Sequence, residues 1–133
     1  MANTAYTTVS SASQLPKRIM ANLKAQVSWK DSTSGETISV TGTTEHVGET
    51  GALVNIEVLP LVGSSVHLRL FDEGKTIIET DTEVIRILRD PGKPMVALSV
   101  ADNIKQWRDK AMNAAQDWVT RNWRLNYGEE WAN

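Results

Sequence analysis

His46-Val47-Gly48-Glu49-Thr50-Gly51-Ala52-Leu53-Val54 is a polar turn that opens straight into an apolar run. Outward from it in both directions the chain reads as strands. Upstream, Ala25, Val27 and Trp29 fall on one face of a segment beginning at Lys24, the period-two signature of a half-buried strand. Asp31 to Gly35 supplies a turn. A second strand runs from about Thr37 to Glu45, with Ile38 and Val40 alternating with Ser39 and Thr41, and Gly42 marking a bulge or a bend at a barrel corner. Downstream, Ala52 to Val58 is apolar almost throughout, which points to burial on both faces or to a barrel seam.

Gly63 opens another alternating strand, with Val66, Leu68 and Leu70 facing one way and His67 and Arg69 the other. Asp72-Glu73-Gly74 closes a hairpin. The strand from Thr76 to Leu88 ends at Asp90-Pro91-Gly92, where proline presets the first turn position and glycine is expected to supply a positive φ at the second. Met95 to Val100 is the last strand. Six strands joined by short turns, with no helices between them, predict an antiparallel barrel rather than an α/β sheet.

After Val100 the period becomes that of a helix, expected from about Asp102 to Trp123. Ile104, Trp107, Ala111, Ala114 or Ala115, Trp118 and Leu125 form one stripe flanked by Met112 and Val119, while charged residues such as Lys105, Arg108 and Asp117 take the remaining surface. Ser99 or Asp102 is placed to accept the first amide hydrogens. The helix is expected to close over the barrel or to pair with a second copy of itself. Residues 1–13 are nearly all small or polar and read as a flexible leader. The division is thus a leader over 1–13, a barrel over 14–101 and a helix with its tail over 102–133.

Composition sets the outer bounds. A length of 133 residues fits one domain with its own core. The chain has no cysteine, so no disulfide framework or thiolate metal site is available, and its two histidines are too few for a zinc cluster. No apolar stretch approaches the roughly 20 residues that span a bilayer, and the N-terminus lacks a secretory pattern. A cytoplasmic location is the expectation. Fourteen basic against 16 acidic residues give a net charge of -2, so no global field draws the chain to nucleic acid.

One resemblance sharpens this reading. Arg18-Ile-Met-Ala-Asn-Leu-Lys-Ala-Gln-Val-Ser-Trp29, Gly51-Ala-Leu-Val54, Leu59-Pro-Leu-Val-Gly63-Ser-Ser-Val-His-Leu-Arg-Leu70, Thr82-Glu-Val-Ile-Arg86 and Val96-Ala-Leu-Ser-Val100 together resemble the PilZ family of cyclic-di-GMP receptors over roughly residues 14–100. That family carries Arg-x-x-x-Arg before its first strand and Asp/Asn-x-Ser-x-x-Gly at the mouth of the barrel. The resemblance places Gln14 at the first arginine and Arg18 at the second, with Lys17 beside it. It places His46 at the acidic or amide residue, Gly48 at the serine and Gly51 at the glycine.

The family's arginines fork onto guanine and neutralise phosphate. Gln14 keeps hydrogen-bonding ability without the charge, His46 offers at most one acceptor nitrogen, and Gly48 has no hydroxyl. Gly51 is expected to serve the backbone of the turn. A good bidentate base contact contributes about 1–3 kcal/mol, so three altered positions remove more than ~3 kcal/mol even with poor additivity. At ~1.4 kcal/mol per decade, two decades of affinity or more are lost.

The resemblance with these losses implies a noncatalytic regulatory or adaptor module with weak or lost cyclic-di-GMP binding, acting through a protein partner. The alternative is a working receptor with a nonstandard site around Arg18 and His46, lined also by Gln14 and Lys17 and shaped by Gly48 and Gly51. No cofactor is expected; the dinucleotide would be a ligand. His46 between Glu45 and Glu49 suggests acid–base chemistry only in outline, since no nucleophile accompanies it. Trp107 and Trp118 share a helical stripe and are expected in the core rather than on a base-stacking platform. Trp123 and Trp131 are assigned to an interaction surface, with self-association through the helix as one use of it.

Overall fold

In the computed structural model, which describes residues 17–123, the alternating segments are strands. They are β1 (Arg18–Ile19), β2 (Lys24–Lys30), β3 (Thr37–Gly48), β4 (Gly51–Asn55), β5 (Ser65–Asp72), β6 (Lys75–Leu88) and β7 (Met95–Val100). Every pairing is antiparallel. The order β3-β2-β5-β6-β7-β4 closes on itself because β4 also pairs with β3, giving the expected six-stranded barrel. Closure removes the open edges through which isolated sheets aggregate. The two-residue β1 is an addition, with Arg18 opposite Gly48 and Ile19 opposite Val47. The leader, Gln14, Leu125 and Trp131 lie outside the described residues.

Inward-facing positions follow the alternation. Ala25 and Val27 of β2, Val54 of β4, Leu68 and Leu70 of β5, Val84 of β6 and Val96 and Leu98 of β7 are buried together. The C-terminal helix adds Trp107, Ala111, Ala114 and Ala115 to the same cluster. Trp107 is fully buried, and the alanines after it let the helix backbone approach the barrel closely. Trp118 and Val119 pack against this core from its margin. Arg121 clamps the far end of the helix to the β5–β6 hairpin through Asp72 and Glu73.

Between β1 and β2 the chain leaves the edge of β3, and buried Thr44 fills the gap. Its hydroxyl donates to the Ala21 carbonyl and accepts from the Leu23 amide, while its own amide donates to the Leu23 carbonyl. A polar side chain in the wall of the barrel is tolerable because it is fully hydrogen-bonded.

Several local expectations need correction. The strand expected over Ala52 to Val58 ends at Asn55, because Asn55 lies opposite Met95, the first residue of β7, and no ladder continues on that side. Only one face of β4 is buried, through Ala52 and Val54. Val58, Leu61 and Val62 then stand exposed in the loop that follows. Gly42 is not a bulge. A Cβ there would collide with the Asn55 carbonyl, so glycine permits close approach of β3 and β4, and the bulge comes later, at Glu45. Gly92 lacks the expected positive φ. Asp90 instead fixes that turn, its side chain accepting from the Gly92 amide and its carbonyl from the Lys93 amide. At the hairpin, Glu73 and Gly74 both have positive φ, 51° and 81°, as a type I′ turn requires.

The helix begins at Ile104, and its N-cap is Asn103 in the left-handed region with no side-chain cap bond, so neither Ser99 nor Asp102 caps it. Ile104 is partly exposed rather than on the buried stripe. The helix is also not uniform. Ile104–Trp107 is α-helical, Arg108–Met112 forms a π-helical turn and Asn113–Trp123 is α-helical again. The Asn113 side chain donates to the Asp109 carbonyl inside that turn.

On the outer face of β5 and β6, both ring nitrogens of His67 meet carboxylates, Nδ1 at 3.1 Å from Asp81 and Nε2 at 3.0 Å from Glu79. These bonds raise the His67 pKa above the ordinary histidine range, Glu79 contributing most. A raised folded-state pKa contributes stability that is complete below about pH 6.5 and is lost as pH rises through the folded value. The stability difference between wild type and His67→Gln is expected to shrink as urea melts are moved from acid to alkaline pH. A constant difference would show that the imidazolium is not the stabilising form.

Candidate functional site

The motif residues converge through two bulges. In β3 the register slips between Thr44 and His46, so Glu45 is the extra residue and His46 is turned to the outer side while Val47 returns to the core. In β6 the register slips between Val84 and Arg86, so Ile85 is the extra residue and Arg86 is thrown outward in the same way. Bulges re-aim side chains without breaking the barrel. Between them lies an open cavity of about 330 Å³ whose lining includes Arg18, His46, Glu49, Leu53, Ile85 and Arg86, with Gly48 and Gly51 in its wall.

Of the residues expected at the site, Arg18, His46, Gly48 and Gly51 are brought together. Lys17 is exposed and does not line the cavity. Gln14 lies outside the described residues. Sequence reading did not single out Arg86 as a site residue. Its one signal was the phase of β6: Thr80, Thr82 and Val84 face inward by twos, and the next inward position is Ile87. An odd step in an alternating strand marks a bulge.

The electrostatics of the cavity are cationic. The guanidinium of neither Arg18 nor Arg86 has a hydrogen bond or ion pair among the described residues. Glu45, the nearest acidic residue on β3, is engaged by Lys93 at 2.6 Å. His46 is held below the ordinary histidine range, first by burial and then by the Arg18 charge, with Glu45 opposing. Both effects favour the neutral imidazole, and its Nδ1 is buried without a hydrogen-bond partner among the described residues. A planar, anionic ligand there would meet two guanidiniums and apolar side chains such as Leu53 and the exposed Ile85. At position 46 it would meet an imidazole rather than the paired acceptors of a carboxylate; the carboxylate in the lining is that of Glu49.

A larger cavity of about 590 Å³ lies between β2, the β5–β6 hairpin and Trp118, lined in part by Asn22, Lys24 and Phe71. It shares no residue with the smaller one. Site chemistry is assigned to the smaller because that cavity holds two guanidiniums, of Arg18 and Arg86, that are unpaired among the described residues.

The glycines at this site differ in purpose. A Cβ on Gly48 would make only ordinary contacts, 3.5 Å to the Lys17 carbonyl oxygen and 3.6 Å to that of Gly51. A Cβ on Gly51 would run into the Leu98 carbonyl of β7. Gly51 has no positive φ, so close packing against β7, not turn conformation, is what requires glycine there. Gly51→Ala is expected to destabilise by about 1–3 kcal/mol, as overpacking does, whereas Gly48→Ala should stay within about 0.5 kcal/mol. Urea denaturation separates the two, and equal effects would contradict this distinction.

No protein-family model matches the sequence, and no curated protein matches it. Solved structures do. The inhibitor of motility MotI/DgrA of Bacillus subtilis aligns with a TM-score of 0.56 at 20% identity, covering 86% of this chain and 52% of that one. The PilZ domain of Escherichia coli YcgR with c-di-GMP aligns with a TM-score of 0.56 at 12% identity, covering 84% of this chain and 95% of that domain. YcgR in complex with c-di-GMP gives 0.62 at 13% identity, covering 87% of this chain and 50% of that one. The chain thus spans about half the length of MotI/DgrA and of YcgR. The fold is that of PilZ domains, as the sequence resemblance implied. Among the described residues, no helix is long and apolar enough to cross a membrane.

Proposed function

We propose that the chain is a noncatalytic, cytoplasmic regulatory or adaptor barrel whose binding of cyclic di-GMP is weak or lost and which acts through contacts with another protein. The observation that carries this reading is the composition of the cavity wall. Where the PilZ motif has an acidic or amide side chain and a hydroxyl, this chain has a neutral His46 with one ring nitrogen buried and a Gly48 with no side chain. The surface assigned to the partner is the end of the helix, where Trp123 is 54% exposed, together with Trp131. Self-association through the helix is a second use of that surface.

A second reading, a receptor with a nonstandard site, is favoured by one feature. Arg86 brings to Arg18 a second guanidinium that replaces in charge what Gln14 has lost. Titration calorimetry with cyclic di-GMP tests both. The adaptor reading expects no heat at micromolar dinucleotide. Saturable heat that disappears in both Arg18→Ala and Arg86→Ala would establish the receptor instead.

A further inference from the structure

The turn that forms one wall of the cavity is held from behind by the C-terminal part of the chain. The Gly48 carbonyl accepts a hydrogen bond of 2.8 Å from Trp107 Nε1, across 59 residues of sequence. The Thr50 carbonyl accepts from the Val100 amide, and Gly51 sits against the Leu98 carbonyl. The last two anchors belong to the barrel. The first belongs to the helix, so the Gly48 carbonyl keeps this donor only while the helix is docked, in addition to the pairing of Gly48 with Arg18 in the β1–β3 ladder.

That bond is also hard to exchange for another. Trp107 is fully buried, and a buried indole N–H without a partner costs about 1–3 kcal/mol. Docking of the helix therefore carries the Gly48 carbonyl with it. Gly48 lies opposite Arg18 and two residues from His46, and all three line the cavity. Directly after Trp107 comes the π-helical turn Arg108–Met112, a departure from the α-helical ladder of a kind that recurs at functional sites.

We propose that Trp107 is a positioning residue that links the helix to the cavity through the Gly48 carbonyl. Helix docking sets the place of the turn, of Arg18 and of His46, and by thermodynamic reciprocity a change at the cavity biases the docking of the helix. The link itself is independent of which ligand binds. Its use as a signal to the partner-facing end of the helix rests on the function proposed above.

The test uses the full chain and both histidines. Among the described residues, the charged groups around His46 are Arg18 from β1, Glu45 beside it, Glu49 in the turn and Arg86 from β6. His67, on β5 and bonded to Glu79 and Asp81, is the internal control. Trp107→Phe keeps an aromatic ring and removes the donor. By NMR, the His46 midpoint is expected to move up toward the ordinary histidine range in this variant, as a loosened turn readmits water, while the His67 midpoint stays. An unmoved His46, or both histidines moving together, overturns the proposal.

In the wild type, the Trp107 indole N–H resonance, identified by its loss in Trp107→Phe or by through-space contacts, is expected to shift with the His46 midpoint while those of Trp29 and Trp118 do not. An indole that stays fixed as His46 titrates overturns the link, whether or not the variant folds. Absence of cyclic-di-GMP binding would leave both outcomes intact and bear only on the ligand.

Discussion

Trp107→Ala is expected to lower the stability of the domain by about 3–5 kcal/mol, the range for removing a large aromatic from a core. Trp107 is among the largest fully buried side chains and sits between the helix and the mouth of the barrel. Its removal leaves a cavity, deprives the Gly48 carbonyl of its donor and detaches the first helical turn from the wall. Domains of this size have roughly 5–15 kcal/mol in all, so the variant should melt far earlier or fail to accumulate. Trp118→Ala, at the margin of the core, should cost less. Thermal or urea melts decide. A Trp107→Ala protein as stable as wild type would mean that the helix is not part of the core.

How much of this was visible beforehand follows from the range of each interaction. The barrel was legible because each of its walls is written locally: Val66, Leu68 and Leu70 alternate with His67 and Arg69, and the inward set is the buried set. The helix was legible from the change of period after Val100. The two bulges were less so, since a single inserted residue disturbs alternation only over a few positions. Ile85 and Arg86 both face outward because one residue is inserted there, and the pairing of β6 with β7 shows where Arg86 goes.

At the candidate site, the resemblance carried Arg18, His46, Gly48 and Gly51 to one place, and the structure brings them together because β1 pairs with the end of β3 just before the turn into β4. The resemblance could not reveal Arg86, which comes from the other side of the barrel. Nor could it reveal why Gly51 is glycine, because the obstacle is the backbone of β7, 47 positions along the chain. The cap of the helix was misassigned for a similar reason. Ala101 donates to the Asp81 carbonyl and Thr80 to the Asp102 carbonyl, so β6 bends the chain through Asn103 and sets the start of the helix from outside it.

Restoring the motif is expected to restore the ligand. The triple variant Gln14→Arg, His46→Asp, Gly48→Ser should bind cyclic di-GMP at least about 100-fold more tightly than wild type, since each bidentate base contact contributes about 1–3 kcal/mol and ~1.4 kcal/mol is one decade. Structure supports the barrel-side changes. The nearest atoms to a Cβ at position 48 are at 3.5 Å or beyond, so serine fits without moving the turn. Position 46 is already turned to the cavity by the Glu45 bulge, and a carboxylate there gains two acceptor oxygens where His46 offers one nitrogen. Arg18 and Arg86 are unpaired among the described residues and so can stabilise that carboxylate in the free protein. Calorimetry on wild type, Gly48→Ser and the triple variant gives the answer in one series. Tight binding by the wild type would show that His46 and Gly48 suffice, and an unchanged triple variant would show that the approach of the segment carrying position 14 has diverged from the PilZ pattern.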